Sequence, residues 1–335
     1  MSSIRGLAVL ALGTVTATVV AMAMTVPPAE ARTDDLVRYA WIKSCAKGDH
    51  TVPCGKWTLT LRSGRTVRLD DARVNPRRAN GTVDKDAGTT FAVSGDGRVV
   101  NYLRGDVLVV RDVTSGKVVP LPGRAATLPK GLDQASVDTM LSEDGSAVVI
   151  DYLDEEERLP SLLVDRESGK IATLPAKINV MGFSPDGRHV LTSRYTDDST
   201  TEFVVFDGAG RVTASRVVPQ ILANNSPVAL ANDGTTTAFV VTGAMTKKAR
   251  LHTYSLTSDT VSAAVRLGVS VNDGAQRLSW NPAGTLTLWT SFSEAHGGQV
   301  TSAAKRTVNA RTGTVHTVDS FPIKNAPWSW WLPGE

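Results

Sequence analysis

Chemistry in this chain would have to come from a few scattered polar side chains. The set with the most coherent placement is Asp138, Asn179, Asn224, Asn225, Gln276, Arg277 and Asn325. Each lies at or just before an apolar stretch, in the same slot of a recurring unit. One acid, one base and several amides make a mixed polar ring. Such a ring can bind a polar ligand, and it can equally serve to satisfy backbone groups and channel water.

Signals for nucleophilic or metal chemistry are weaker. Gly182-Phe183-Ser184-Pro185-Asp186 ends in Asp where a nucleophile elbow needs its second Gly, so Ser184 reads as turn chemistry. His50, His189, His252, His296 and His316 are dispersed, without a His-x-His or His-Glu-x-x-His pair, which argues against zinc. The run Asp154-Glu155-Glu156-Glu157 lacks the alternating ligand spacing of a calcium loop and reads as a solvated loop, and Asp197-Asp198 is weaker still. No Gly-rich phosphate loop or dinucleotide fingerprint occurs. The expectation is no catalytic residue, no metal and no cofactor.

A repeat must position these side chains. Asp96-Gly97, Asp144-Gly145, Asp186-Gly187, Asp233-Gly234 and Ala283-Gly284 occupy equivalent slots, 48, 42, 47 and 50 residues apart. Each follows a short apolar stretch and precedes a strand rich in β-branched residues, such as Val148-Val149-Ile150. Asp-Gly supplies the positive φ of a two-residue hairpin. A second hairpin series starts at Trp57, Val107, Ser161, Glu202, Leu251 and Ala304. A period near 45 residues built from strands alone predicts an all-β propeller.

Six outer hairpins against five inner ones predict six blades, with five or seven as alternatives. The excess hairpin is explained if the ring closes on itself: three N-terminal strands (36–42, 57–61 and 66–69) and one C-terminal strand from APWSWWLPGE would share a blade. Closure removes exposed sheet edges, which are an aggregation hazard.

The segment FSPDGR, Phe183 to Arg188, resembles the WD40-like repeat of TolB-type β-propellers, and SGDG, SEDG, ANDG and NPAG are degraded copies of it. The resemblance covers nearly the whole chain after residue 31 as a repeat. It implies the propeller fold and leaves function open, because such propellers serve as scaffolds, sensors and enzyme lids. It also implies a possible accessory role in an envelope complex, although no separate domain precedes the repeats.

Residues 1–31 read as a secretory signal. Arg5 gives a positive start, Leu7 to Val26 is apolar apart from Thr and Gly, and Ala29-Glu30-Ala31 follows Pro27-Pro28 as a small-x-small cleavage signature. The alternative is an uncleaved anchor, since the run approaches spanning length. The single domain would then be 32–335. A net charge of +3 is dispersed, which gives nucleic acid no patch to bind. Cys45 and Cys54 are the only cysteines, and in an exported chain they read as one disulfide worth roughly 2.5–3 kcal/mol by loop entropy. A metal or redox pair is the alternative, with only His50 between them. Trp41, Trp57, Trp328, Trp330 and Trp331 all fall in the predicted closing blade. They read as packing, with a carbohydrate-stacking platform as the competing idea.

The faces of the disc should differ. Short turns occupy one, and the other carries the long connections Cys45–Cys54, Asp154–Pro160, Thr196–Thr201, Ala244–Arg250 and Glu294–Gln299 and the linkers 70–88 and 122–135. Long loops cost entropy and are not needed merely to turn the chain, so function is expected there. The leading expectation is an exported, monomeric, non-enzymatic scaffold binding an unknown protein or polar ligand at the cell envelope. A hydrolase or lyase at the channel mouth and a TolB-like envelope accessory are the alternatives.

Overall fold

The structure, a computed structural model, describes residues 35–154, 157–242, 249–270, 272–281, 283–293, 299–324 and 326–335. The segment expected to be a signal, residues 1–31, and His296 and Asn325 lie outside the described residues. Six antiparallel sheets follow one another around a ring. Blade 1 runs outward from Ser329–Trp331 through Val37–Lys47 and His50–Leu61 to Thr66–Arg68. Blades 2, 3, 4 and 6 begin at the axis with Phe91–Val93, Val137–Leu141, Asn179–Phe183 and Asp273–Trp280. Blade 5 begins with Val228–Leu230 and has a divided outer edge, Thr260–Val261 and Val265–Arg266, both paired with Ala249–Ser255.

The predicted closure is present. Ala40, Trp41 and Ile42 pair with Trp331, Trp330 and Ser329, and the Trp328 N–H donates to the Ile42 carbonyl at 3.0 Å. The tail also reaches the next blade: the Val93 N–H donates to the Glu335 carbonyl at 2.7 Å, and the Gly334 N–H donates back to Val93 at 2.8 Å. Blade 1 is therefore built from both parts of the chain and seamed to blade 2.

The inner hairpins differ in detail from the two-residue turns expected. Ser94 pairs with Val99 around a four-residue loop, in which the Gly97 N–H donates to Ser94 O and Asp96 Oδ1 accepts from the Ser94 hydroxyl and the Arg98 N–H. Ser142–Ala147 and Ser184–His189 repeat this arrangement. Asp thus works through its side chain, and Gly follows in the left-handed region.

Glycine is needed at the turn for a second reason. Each of these turns leans on the preceding blade. A Cβ on Gly97 would lie 2.6 Å from the Val37 carbonyl oxygen, and one on Gly145 would lie 2.7 Å from Val99 Cβ. Gly234 meets the His189 ring in the same way. Gly334, at φ +90°, packs against the Arg277 side chain of blade 6 and so fills the sixth position of the series. It stands 50 residues after Gly284, in step with the period.

The core lies between blades rather than within any one sheet. Trp57, Leu59 and Leu61 of blade 1 pack with Phe91, Val100 and Tyr102 of blade 2, and equivalent clusters join the later blades. Cys45 and Cys54 form the expected disulfide. The segment between them is not a loop. Val37–Lys47 and His50–Leu61 run on as a ladder to a turn at Gly48-Asp49, with Lys43 opposite Cys54 and Cys45 opposite Val52. The bond staples that hairpin. Lys47 pairs with Asp86, which ties it to the 70–88 linker.

Candidate functional site

At the long-loop end of the axis, Asp138 and Asn179 share a pocket of about 120 Å³ with Asp151 and Leu153. Asp138 and Asp151 are opposite each other on the paired inner strands of blade 3, and strand alternation places both side chains on one face. Asp138 Oδ1 accepts from the Thr139 N–H at 2.8 Å, and Asp151 Oδ1 accepts from the Ser161 hydroxyl at 2.6 Å.

Asp138 is open to solvent along the channel, yet protein crowds it on most sides. That partial burial pushes its carboxyl above the usual range, and the nearby Asp151 adds to the effect. Burial likewise raises Asp151, with Asp154 contributing. The pair holds a proton to higher pH than ordinary carboxyls do and, when ionised, can attract a cationic group.

The remaining predicted residues are placed differently. The Asn225 carboxamide donates to Ile221 O at 2.7 Å and tethers the linker after the short helix Gln220–Ala223, while the Asn224 N–H donates to Gln220 O. Gln276 donates to Ser291 Oγ at 2.8 Å. Asn325 lies outside the described residues. Arg277 is the one whose expected position is corrected. The inner strand of blade 6 starts early, at Asp273, and an irregularity in pairing between Ala275 and Arg277 shifts the register. Arg277 therefore sits toward the short-turn end, beside Glu143, Ser184 and Gly334. Its guanidinium is strongly desolvated, which lowers its pKa, while Glu335 and Glu143 pull the other way.

Two features were not anticipated. A groove of about 960 Å³ lies between blades 3 and 4 on the short-turn face, over Ala147, Leu163 and Ala172. The Asp165, Asp186 and Asp207 side chains at its rim accept hydrogen bonds within their own turns. The long-loop face, in turn, holds large apolar side chains out to solvent. Leu153 is 54% exposed, Tyr195 79% and Ile221 41%, with Val83 and Val217 also exposed there. Tyr195 is two residues beyond Ser193, the cross-strand partner of Asn179, so it stands beside the polar pocket. The only sequence signal was an apolar residue at the end of a strand that borders a polar loop.

The axial carboxyls set a pH dependence. Burial raises Asp138, Glu143, Asp151 and Glu335. A carboxyl raised by folding adds stability that is complete below its unfolded value, about 4, and is lost as pH climbs through its folded value. The turn aspartates Asp165 and Asp207 behave oppositely, held low first by the N–H groups of Ser168 and Arg211, and they lose their contribution as pH falls below about 4. The melting temperature should therefore be highest at roughly pH 4 or a little above and fall as the pH rises toward neutral. A melting temperature that climbs steadily from about pH 5 to pH 8 would contradict this assignment.

No protein-family model matches the chain, and no curated protein matches it. Similar solved structures include TolB from Acinetobacter baumannii, at 13% identity and a TM-score of 0.48, covering 88% of this chain and 65% of that one. The chain thus spans just under two thirds of that protein. An oligogalacturonate lyase from Vibrio parahaemolyticus is 11% identical, with a TM-score of 0.47, covering 89% of this chain and 83% of that one. The complex of KlAtg21 with the coiled coil of AgAtg16 gives 10% identity and a TM-score of 0.50, covering 86% of this chain and 100% of that one. The neighbours are TolB and other propellers. At these identities the likeness extends to the fold alone.

Proposed function

We propose that this chain is an exported binding propeller that engages a protein partner through its long-loop face. The observation that carries this reading is a pair of exposed apolar side chains at the Asp138–Asp151–Asn179 pocket, Leu153 in its lining and Tyr195 two residues beyond the cross-strand partner of Asn179, with Ile221 exposed on the same face. Single exposed apolar residues are ordinary; a group bordering a polar pocket is the composition of a binding surface, with an aromatic anchor and a polar rim. The pocket's carboxylates favour a partner that presents a lysine or arginine there. The disulfide supports an extracytoplasmic location. No helix among the described residues is long and apolar enough to cross a membrane. An envelope accessory is one form of this reading.

The facing carboxyls of Asp138 and Asp151 favour a second reading, hydrolysis or elimination at the channel mouth by a raised-pKa acid. Among the described residues no three His, Cys, Asp or Glu side chains are grouped to hold a metal ion.

A photo-crosslinking amino acid at Tyr195, introduced in the producing cells, tests the proposal. A discrete protein adduct is expected from Tyr195 and from Leu153, and none from Val119 on the outer strand of blade 2, which is 40% exposed. No adduct at Tyr195 or Leu153, or equal yields at Val119, would overturn it. An adduct that disappears in Asp138→Asn would assign the pocket to the same surface.

A further inference from the structure

The short-turn end of the axis holds polar groups that the proposed binding role does not use. Arg277 and Trp280 of blade 6, Glu143 and Leu141 of blade 3, Ser184 of blade 4 and Gly334 of blade 1 enclose a cavity of about 10 Å³. That is room for the centre of one water molecule. The Trp280 indole N–H is buried and has no acceptor among the described residues. The Arg277 guanidinium carries up to five donors, and Glu335 and Glu143 act on it through their charge rather than through a direct hydrogen bond. The Glu143 carboxyl lies directly over Gly95 of blade 2, where any Cβ would collide with it. Donors and an acceptor thus line the same cavity.

We infer that this cavity is a binding site for a single water molecule, which accepts from the Trp280 indole N–H, with the Arg277 guanidinium alongside, and donates to the Glu143 carboxyl. The mixture of groups selects the ligand. A halide would gain the donors but meet the Glu143 charge, and a cation would meet Arg277. Water can donate and accept at once, and it relieves an otherwise costly buried indole N–H. Residues of five blades line or border the site, so the bound molecule would act as a hub at the axis.

A crystal structure of the protein at about 1.8 Å resolution tests this, with a second crystal soaked in bromide. One peak is expected within about 3.2 Å of Trp280 Nε1 and within the same distance of a Glu143 oxygen. It should show no bromide anomalous signal. The peak should persist in Glu143→Gln, whose amide keeps an acceptor, and be lost or displaced in Trp280→Phe. No peak, or a bromide signal at the site, would overturn the inference. So would a peak in Trp280→Phe unchanged in position.

Discussion

Replacing Trp57 by alanine should cost about 3–5 kcal/mol of folding stability. Trp57 is 1% exposed and stacks on Phe91 with ring centroids 4.2 Å apart. Phe91 in turn stacks on Tyr102. The indole N–H donates to the Arg73 carbonyl at 3.2 Å, in the linker that enters blade 2. The substitution therefore leaves a cavity at the seam between blades 1 and 2 and removes a hydrogen bond there. A typical domain is stable by about 5–15 kcal/mol, so this loss is a large fraction of the whole. Trp57→Phe keeps most of the volume and the stacking and should cost much less. Urea denaturation of the two variants gives the comparison. A loss below about 1 kcal/mol for Trp57→Ala would show that the seam does not depend on this ring.

Much of this architecture is legible in the residues. The Asp-Gly series and the outer hairpins mark every blade, because turns with positive φ leave a strict compositional trace. In the outer series the left-handed residue is Gly64, Gly116, Gly169, Gly210 or Gly313, and in blade 5 it is Asp259. Asp259 is braced there by the Tyr254 hydroxyl, which donates to it at 2.6 Å. The closure follows from counting hairpins. Gly334 keeps the spacing of the series, but it follows Leu332-Pro333 rather than an Asp, so its turn carries a different residue signature.

The site was harder to read, for a physical reason. Spacing along the chain sets register within a blade, whereas distances across the axis come from how the blades tilt and pack. Asp138 and Asn179 could be assigned to the same mouth, but their pairing with Asp151 depends on the partner strand. Arg277 moved to the opposite end because its strand begins at Asp273 and its pairing is irregular. Leu153 and Tyr195 look like ordinary strand residues until the following polar loop is seen to leave them uncovered. The groove between blades 3 and 4 belongs to two repeats at once and has no signature in either.

The account's central claim is a ring shut by its own C-terminal strand, and removing residues 325–335 tests it most directly. The deletion strips Ser329–Trp331 from the inner edge of blade 1, together with Trp328 and the Gly334–Val93 seam to blade 2. It leaves Val37–Lys47 with an open edge toward the axis and uncovers Tyr39 and Phe321, which pack in the same apolar cluster as Leu332, Trp330 and Trp41. Loss of a single large aromatic from a core costs about 3–5 kcal/mol. Three tryptophans here are half-buried rather than fully enclosed, so each contributes less, but together with the paired strand they approach the stability of a whole domain. An exposed apolar edge also invites aggregation. The truncated protein should be insoluble, or compact without a cooperative melting transition, although every Asp-Gly turn is retained. A soluble truncated protein that melts cooperatively near the temperature of the full chain would contradict closure by the C-terminal strand.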